Sequence, residues 1–405
     1  MYIIYKVTSW KNMENLNAKA ILKKGREKSV NNRHLWLFSG AVERIEGEHN
    51  PGDIIPIYSS TNEFLGKGFI NENSQMRLRI LTFKNEKIDK EFFHKRISKA
   101  INFRTSYIKN SSAYRLIHAE ADLLSGLIVD RYNDSLVIQI SSHGMFNIKS
   151  TILEILKELL NPTLIIERSD AEVIHEEGLE SVRQVLFGDE SNCKVEIIEN
   201  GVKFYVDLMQ GQKTGFFIDQ RDNRKKVAEL TKDKKMLNCF SYTGGFSVYS
   251  ALEGATTTSI DISKNAMDTA KENFTLNNLD LDNHEFIVGD VFNYLREMGK
   301  NFDFIVLDPP SFVKHKEHVN KASRAYKDIN RVAIKNIKNE GLILTCSCSK
   351  HIDWDLFQKI IFSAAIEANR NVQFIGRFSQ PADHPVSVFQ PESEYLKTFL
   401  IRICD

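Results

Sequence analysis

The pattern of apolar and polar positions divides the chain into three stretches. From about Ala18 to Phe83, short apolar runs alternate with turn signals such as Asn50-Pro51-Gly52-Asp53 and Gly66-Lys67-Gly68. Short runs bounded by Gly, Pro and Asn predict a small, mostly β module. From Asp89 to about Lys109 the spacing becomes helical, with Phe92, Phe93, Ile97, Ala100 and Ile101 on one face. Strand-like runs follow at Tyr114–His118, Leu127–Arg131 and Leu136–Ile140, then a helix over Ile148–Leu160 and a strand over Thr163–Glu167. This middle stretch reads as an α+β insert with no chemistry of its own.

The third stretch begins near Lys194. A two-strand pattern spans Val195–Ile198 and Val202–Val206. Strand signals then recur at Met236–Phe240, Thr257–Asp261, Glu285–Val288, Phe302–Leu307, Gly341–Thr345, Val372–Phe378 and Tyr395–Ile403. Helical spacing lies between them, as at Asn265–Asn277 and Asp355–Ala368. Alternation of this kind predicts an α/β fold with a parallel, doubly wound, Rossmann-like sheet. The expected domains are 17–88, 89–193 and 194–405.

Composition agrees with this plan. The 405 residues exceed one ordinary domain. No apolar run is long enough to span a bilayer, and Met1-Tyr2-Ile3-Ile4-Tyr5-Lys6 lacks a signal-peptide layout, so a cytoplasmic protein without a membrane partner is expected. Five scattered cysteines do not form a disulfide framework and read as free thiols. Charge is uneven: residues 1–110 carry a formal +9 against +1 for the whole chain, leaving −8 for the rest. In the β module, Lys23, Lys24, Arg26, Lys28, Arg33 and His34 are interleaved with Trp36 and Phe38. A basic face of this kind fits a polyanion, with an ordinary solvated surface as the plainer alternative. Trp36 and Phe38 themselves are expected in the core.

Candidate chemistry gathers at the ends of the C-terminal strands, where open α/β sheets bind ligands. Asn238-Cys239-Phe240-Ser241-Tyr242-Thr243-Gly244-Gly245-Phe246 joins a strand to a helix start through a glycine turn. The dinucleotide fingerprint G-x-G-x-x-G is absent. Asp261 ends the next strand, placed to accept from both hydroxyls of a ribose, and Asp290 follows the third, placed to meet an adenine amino group. Three such strand ends suit S-adenosylmethionine, which has an adenosine but no pyrophosphate. The competing reading for both acids is a helix N-cap. Upstream, Gly211 through Arg221 is expected to close over the cofactor, with Phe217 against the adenosine and Gln220 or Arg221 near its carboxylate. The plainer reading is an edge loop in which Asp219 caps the next helix.

Two further segments define the acceptor. Asp308-Pro309-Pro310-Ser311-Phe312 ends an apolar strand. Proline fixes φ and restricts the preceding residue, so Asp308 is held in place. The pattern is shared with enzymes that methylate planar rings; Asp308 suits the N3/N4 edge of cytosine, with Phe312 stacking. Leu342-Ile343-Leu344-Thr345-Cys346-Ser347-Cys348-Ser349 ends the next strand in thiols. Carbon-5 of a pyrimidine is a poor nucleophile, and a thiol added to C6 activates it. A helix start at Asp353–Asp355 is a candidate source of thiolate activation. Strand alternation directs Cys346 and Cys348 to the same face and does not choose between them. Competing readings are a zinc site from Cys346, Cys348, His351, His315 and His318, disfavoured by the missing second cysteine pair, an RNA methyltransferase acting on nitrogen, and a non-catalytic RNA-binding assembly factor.

The chain resembles bacterial 23S rRNA 5-methylcytosine methyltransferases of the large-subunit methyltransferase I type. The resemblance runs from about Ala20 and rests on Lys24-Gly25-Arg26-Glu27-Lys28-Ser29, Trp36-Leu37-Phe38-Ser39-Gly40-Ala41-Val42, Gly211 through Arg221, Leu237 through Phe246, the Asp-Pro-Pro-Ser-Phe run and Asp383-His384-Pro385-Val386. It implies an N-terminal PUA RNA-binding domain, a central α+β domain and a C-terminal methyltransferase domain. It also implies S-adenosylmethionine as donor and a cytosine of 23S rRNA, or of a large-subunit precursor, as acceptor. The family's Ser-Cys-Ser motif falls on Ser347-Cys348-Ser349, making Cys348 the implied nucleophile and Cys346 the runner-up. Lys24, Arg26, Lys28, Arg33, Pro309, Pro310 and Phe312 are the expected substrate contacts. Phe217, Gln220, Arg221, Phe240, Tyr242, Gly244, Asp261, Asp290 and Asp308 are the expected cofactor contacts. No metal is expected, and a homodimer is compatible with the sequence. About fifteen N-terminal residues have no counterpart in the family, and Met13 is an alternative start.

Overall fold

The computed structural model describes residues 14–169, 173–313 and 316–405. The chain forms two compact units. The first comprises the N-terminal residues through Val195 together with Val206–Phe216 and Ala382–Ser393; the second comprises Glu196–Tyr205, Phe217–Pro381 and Glu394–Asp405. Two segments expected in the C-terminal domain therefore belong to the first unit. Buried hydrogen bonds account for this. The Thr214 hydroxyl donates to Asp130 at 2.7 Å, and Asp383 accepts from the Arg115 amide at 2.8 Å while its carbonyl accepts from Arg104 at 2.9 Å.

The first unit contains two sheets. A six-stranded sheet orders Trp36–Leu37, Leu78–Thr82, Phe64–Ile70, Ile54–Tyr58, Lys19–Leu22 and Val42–Glu46 around a core of Ala20, Leu22, Leu37, Ile55, Ile57 and Ile80. A five-stranded sheet orders Val182–Phe187, Leu164–Ser169, Ser135–Ile140, Leu127–Tyr132 and Ala113–His118. The strand Val182–Phe187 has no counterpart in the expected elements. Its sequence, Val-Arg-Gln-Val-Leu-Phe, alternates poorly, and pairing with Leu164–Ser169 makes it a strand. Trp36 is half-buried beside its core, but Phe38 is 50% exposed, contrary to the core position expected for it.

In the second unit, helix α1 (Arg221–Leu230) leads into a seven-stranded sheet. Its elements in chain order are β1 (Lys235–Cys239), α2 (Gly245–Leu252), β2 (Thr256–Asp261), α3 (Lys264–Leu276), β3 (His284–Val288), α4 (Val291–Glu297), β4 (Phe304–Leu307), α5 (Val319–Asn336), β5 (Leu342–Ser347), α6 (Trp354–Ala368), β6 (Val372–Phe378) and β7 (Lys397–Ile403). The spatial order is β3-β2-β1-β4-β5-β7-β6. The first five strands run parallel, whereas β7 is antiparallel to both β5 and β6, so the sheet is mixed and not wholly parallel. No helix crosses back between β6 and β7, and a strand that returns without a crossover must run antiparallel.

Strand β4 has all four residues buried, the run expected of a strand covered on both faces. Phe304 and Val306 join Met236, Leu344 and Cys346 on one face; Ile305 and Leu307 join Leu237, Ile343, Tyr326 and Phe357 on the other. Each such side chain contributes about 2 kcal/mol of burial. Helix α5 covers the second face through Ala322, Tyr326, Ile329 and Ala333 at helical spacing. The two layers hold the strand ends rigid where the candidate site lies.

Candidate active site

Strand register sets the site. Cys239 pairs with Ile260 on one side and Leu307 on the other, and Leu307 pairs with Thr345. Asp261, Phe240, Asp308 and Cys346 therefore stand level across β2, β1, β4 and β5. The strand order reverses between β1 and β4, where open sheets leave a crevice beyond their carboxyl ends.

The loop after β1 is tightly wound. Phe240, Tyr242 and Gly244 all take positive φ, at 58°, 48° and 77°. Two non-glycine residues in this region cost roughly 1–3 kcal/mol each and persist only where surrounding bonds hold them. Ser241 N–H donates to the Ile260 carbonyl at 3.0 Å, and the Asn273 amide to the Thr243 carbonyl at 2.9 Å. Gly244 is needed for its backbone and for helix packing: an added Cβ would lie 3.1 Å from that of Ala270.

Asp261 is buried, and its two oxygens accept backbone N–H groups from Tyr242 and Ser263, each at 2.9 Å. It does not cap a helix; Ser263 caps α3. Asp290 does cap α4, accepting from Asn293 N–H at 2.8 Å, and remains solvent-exposed. Phe217 meets Tyr242 edge-on with ring centres 5.4 Å apart. Its carbonyl accepts from Arg224 at 3.0 Å, and Arg224 is paired through two bonds to buried Glu199.

Gln220 and Arg221 are buried. The Gln220 side chain bonds Asn223 at 2.6 Å and reaches Cys346, while Arg221 bonds Asp222 at 3.3 Å. Asp219 accepts from the Tyr395 hydroxyl and does not cap α1, whose N-cap is Gln220 without a side-chain bond. A fixed acid at the end of β2, an exposed acid after β3, and an aromatic pair beside the β1 loop match the ribose, amino group and ring of an adenosine. These residues fit S-adenosylmethionine.

The two acceptor motifs are clasped together. The Ser311 and Ser349 hydroxyls lie 2.8 Å apart, Ser311 donates to the Val313 carbonyl, and Ser349 lies 3.1 Å from the Tyr326 hydroxyl. Pro309 is buried and Pro310 exposed. Phe312 belongs to a row of rings, 6.1 Å from Phe292 and 4.7 Å from Tyr326.

The thiols differ sharply. Cys346 is fully buried among apolar side chains and receives a hydrogen bond from Thr398 at 3.4 Å. Burial, and then the nearby Asp308 charge, push its thiol well above the usual range. Strand β5 ends at Ser347, so the alternation expected to align the two thiols stops before Cys348, which is partly exposed. The N-terminus of α6 is capped by Asp353, which accepts from Leu356 N–H at 2.8 Å, so a carboxylate already occupies the helix end expected to activate the thiol. A cation meets this loop by a different route. Lys397 pairs in register with Ser347 and donates to the Ser349 carbonyl at 2.7 Å. Burial pushes the Tyr326 hydroxyl up to about 12, and the Cys348 charge adds to this.

Asn223, Thr398, Lys397 and Tyr326 were not expected here. Each is a polar residue within a helix or strand, and only the fold brings it to the strand ends. Among the described residues no cluster of His, Cys, Asp or Glu could hold a metal ion; His315 lies outside them. In the first unit, Lys24, Arg26, Lys28 and Arg33 are all exposed, and among the described residues none is paired with an acid. The Arg33 guanidinium lies 5.6 Å from the Phe389 ring centre.

The sheet order and the adenosine-matching strand ends define an S-adenosylmethionine-dependent methyltransferase. A family model of that description matches residues 172–402, and a PUA-like domain model matches residues 20–83. Ribosomal RNA large subunit methyltransferase I of Aliivibrio fischeri (strain MJ11) is 44% identical over 389 residues, covering 94% of this chain and 98% of that one. The protein of the same name from Klebsiella pneumoniae (strain 342) is 43% identical over 397 residues, covering 96% and 99%. The crystal structure of SMU.776, described as a methyltransferase and complexed with S-adenosylhomocysteine, superposes with a TM-score of 0.83 at 26% identity, covering 95% of this chain and 99% of that one. The chain belongs to the ribosomal RNA large subunit methyltransferase I family, and its cofactor is S-adenosylmethionine.

Proposed function

We propose that this protein methylates carbon-5 of a cytosine in large-subunit ribosomal RNA, with Cys348 as the nucleophile. One observation carries the reading: of the two thiols on β5 and its loop, the partly exposed one lies beside a serine clasped to the Asp308 loop. The relatives' shared name supports ribosomal RNA as substrate.

S-adenosylmethionine supplies an electrophilic methyl group on its sulfonium. Asp261 holds the ribose, with Asp290 at the adenine edge and Phe217, Phe240 and Tyr242 along the ring. Asp308, held by Pro309, accepts from the cytosine amino edge, and Pro310 and Phe312 flank the base. The Cys348 thiolate would form a bond to C6, and the C5=C6 electron pair would take the methyl group at C5 as the methyl–sulfur bond breaks, its electron pair staying on the sulfur of the departing S-adenosylhomocysteine. A base then removes the C5 proton, the C5=C6 bond re-forms, and the C6–S bond breaks to return the thiolate. The exposed cations Lys24, Arg26, Lys28 and Arg33 face the RNA phosphates. Arg33 over Phe389 adds a cation beside an exposed ring, the pairing on which unstacked bases rest.

The test is tritiated methyl transfer to ribosomal RNA by wild type and by Cys348→Ala and Cys346→Ala, with thermal unfolding as the folding control. Cys348→Ala should lose transfer, because without the nucleophile C5 is not activated, whereas Cys346→Ala should keep it. Survival of activity in Cys348→Ala removes the covalent route. Mass spectrometry of digested RNA then shows whether the methyl group sits on carbon or on nitrogen.

A further inference from the structure

Lys397 is 3% exposed, yet its ammonium donates to two neutral carbonyls, Ser349 and Tyr395, each at 2.7 Å. Several other buried cations hold a carboxylate: Arg224 holds Glu199, Arg115 holds Asp130, Arg104 holds Asp122 and Arg79 holds Glu177. Among the described residues no carboxylate pairs with Lys397. A buried cation without an anion is costly. Burial draws Lys397 down to about 8, and of the charges that oppose this the strongest is that of Cys348, ahead of Glu394 and Asp353. The ladder places Lys397 opposite Ser347, and its bond to the Ser349 carbonyl fixes it against the loop that carries Cys348.

We propose that Lys397 is a positioning residue whose ammonium is the counter-ion of the Cys348 thiolate, so that the nucleophile is ionised before the base arrives. The thiol S–H bond breaks, its proton leaves to water, and the electron pair stays on sulfur beside an ammonium that keeps its own protons. Its consequence for catalysis rests on the reading of Cys348 as nucleophile; the ion pair itself does not.

The experiment is the rate of Cys348 alkylation by iodoacetamide as a function of pH in the full-length protein. Cys348→Ala subtracts the other four cysteines. The Lys397→Met variant should shift the rate profile at least about one pH unit upward, so that at pH 7 its Cys348 reacts about 10-fold more slowly than wild type. Lys397→Arg keeps the charge and should stay within about 3-fold of wild type. Identical profiles for wild type and Lys397→Met overturn the proposal. If Lys397→Met does not fold, wild type alone decides, since a midpoint at the ordinary thiol value of about 8.5 also overturns it. The reaction uses neither RNA nor methyl transfer. A shifted profile together with an active Cys348→Ala enzyme therefore sinks the nucleophile and leaves the ion pair standing.

Discussion

At the scale of single residues, Asp261 and Asp290 show how similar sequence positions acquire different duties. Both follow a strand and precede a helix. Asp290 spends one oxygen on capping α4, while Asp261 sits two residues before its cap and accepts from two different loops. Its charge is therefore fixed in place before any ligand binds. Asp261→Asn should weaken S-adenosylmethionine binding by roughly 100-fold, the loss of charged bonds to two ribose hydroxyls, measured by calorimetry. Affinity within a few-fold of wild type would assign the ribose elsewhere. The place of Asp261 at a strand end was legible because its distance from the glycine turn is a chain property. The choice of Cys348 over Cys346 rested on resemblance alone, because burial and the end of β5 appear only in the fold.

At the scale of elements, the site depends on two ties that no local pattern announces. One is the serine clasp between the loops after β4 and β5. The other is the buried pair in which Glu199, on the hairpin strand Lys194–Glu199, holds Arg224 of α1, which in turn holds the Phe217 carbonyl. Removing one member of a buried pair leaves the other charge uncompensated, at about 3–5 kcal/mol. Glu199→Gln should therefore lower the unfolding midpoint by roughly 6–15 °C and weaken cofactor binding. Glu199→Gln combined with Arg224→Met should recover most of the stability but not the binding, because the Phe217 carbonyl stays unheld. Full recovery of binding in the double variant would show that Arg224 does not position this segment. Glu199 reads in sequence as one more charge on a short strand, and nothing at that position signals that it is fully buried.

At the scale of the molecule, charge and connectivity matter most. The basic first quarter remains an exposed face at Lys24, Arg26, Lys28 and Arg33, while other cations of the same module, such as Lys19 and Arg44, are paired with acids. Changing all four to Gln should reduce the slope of log affinity against log salt for ribosomal RNA by about 3, read by fluorescence anisotropy. An unchanged slope would move the RNA footprint off this face. Among the described residues no helix is long and apolar enough to cross a membrane. The returning segments Val206–Phe216 and Ala382–Ser393 join the first unit through buried polar bonds. Their membership was hidden because the residues that secure them, Arg104, Arg115 and Asp130, lie far away in sequence.

What the sequence determined by itself was every feature whose cause is local. Apolar periodicity set the strands of the second unit, and the helices Lys264–Leu276 and Trp354–Ala368, to within a few residues, and the strand–turn–helix spacing placed Asp261 at its strand end. The Asp-Pro-Pro and Ser-Cys-Ser runs marked the two loops that meet. Tertiary structure decided what depends on partners remote in the chain. It reversed β7, sent Phe38 outward, buried Cys346, committed Gln220 to Asn223, and set Lys397 opposite Ser347. Burial and pairing are relations between distant residues, and they determine whether a thiol, an acid or an ammonium in a known motif carries its charge.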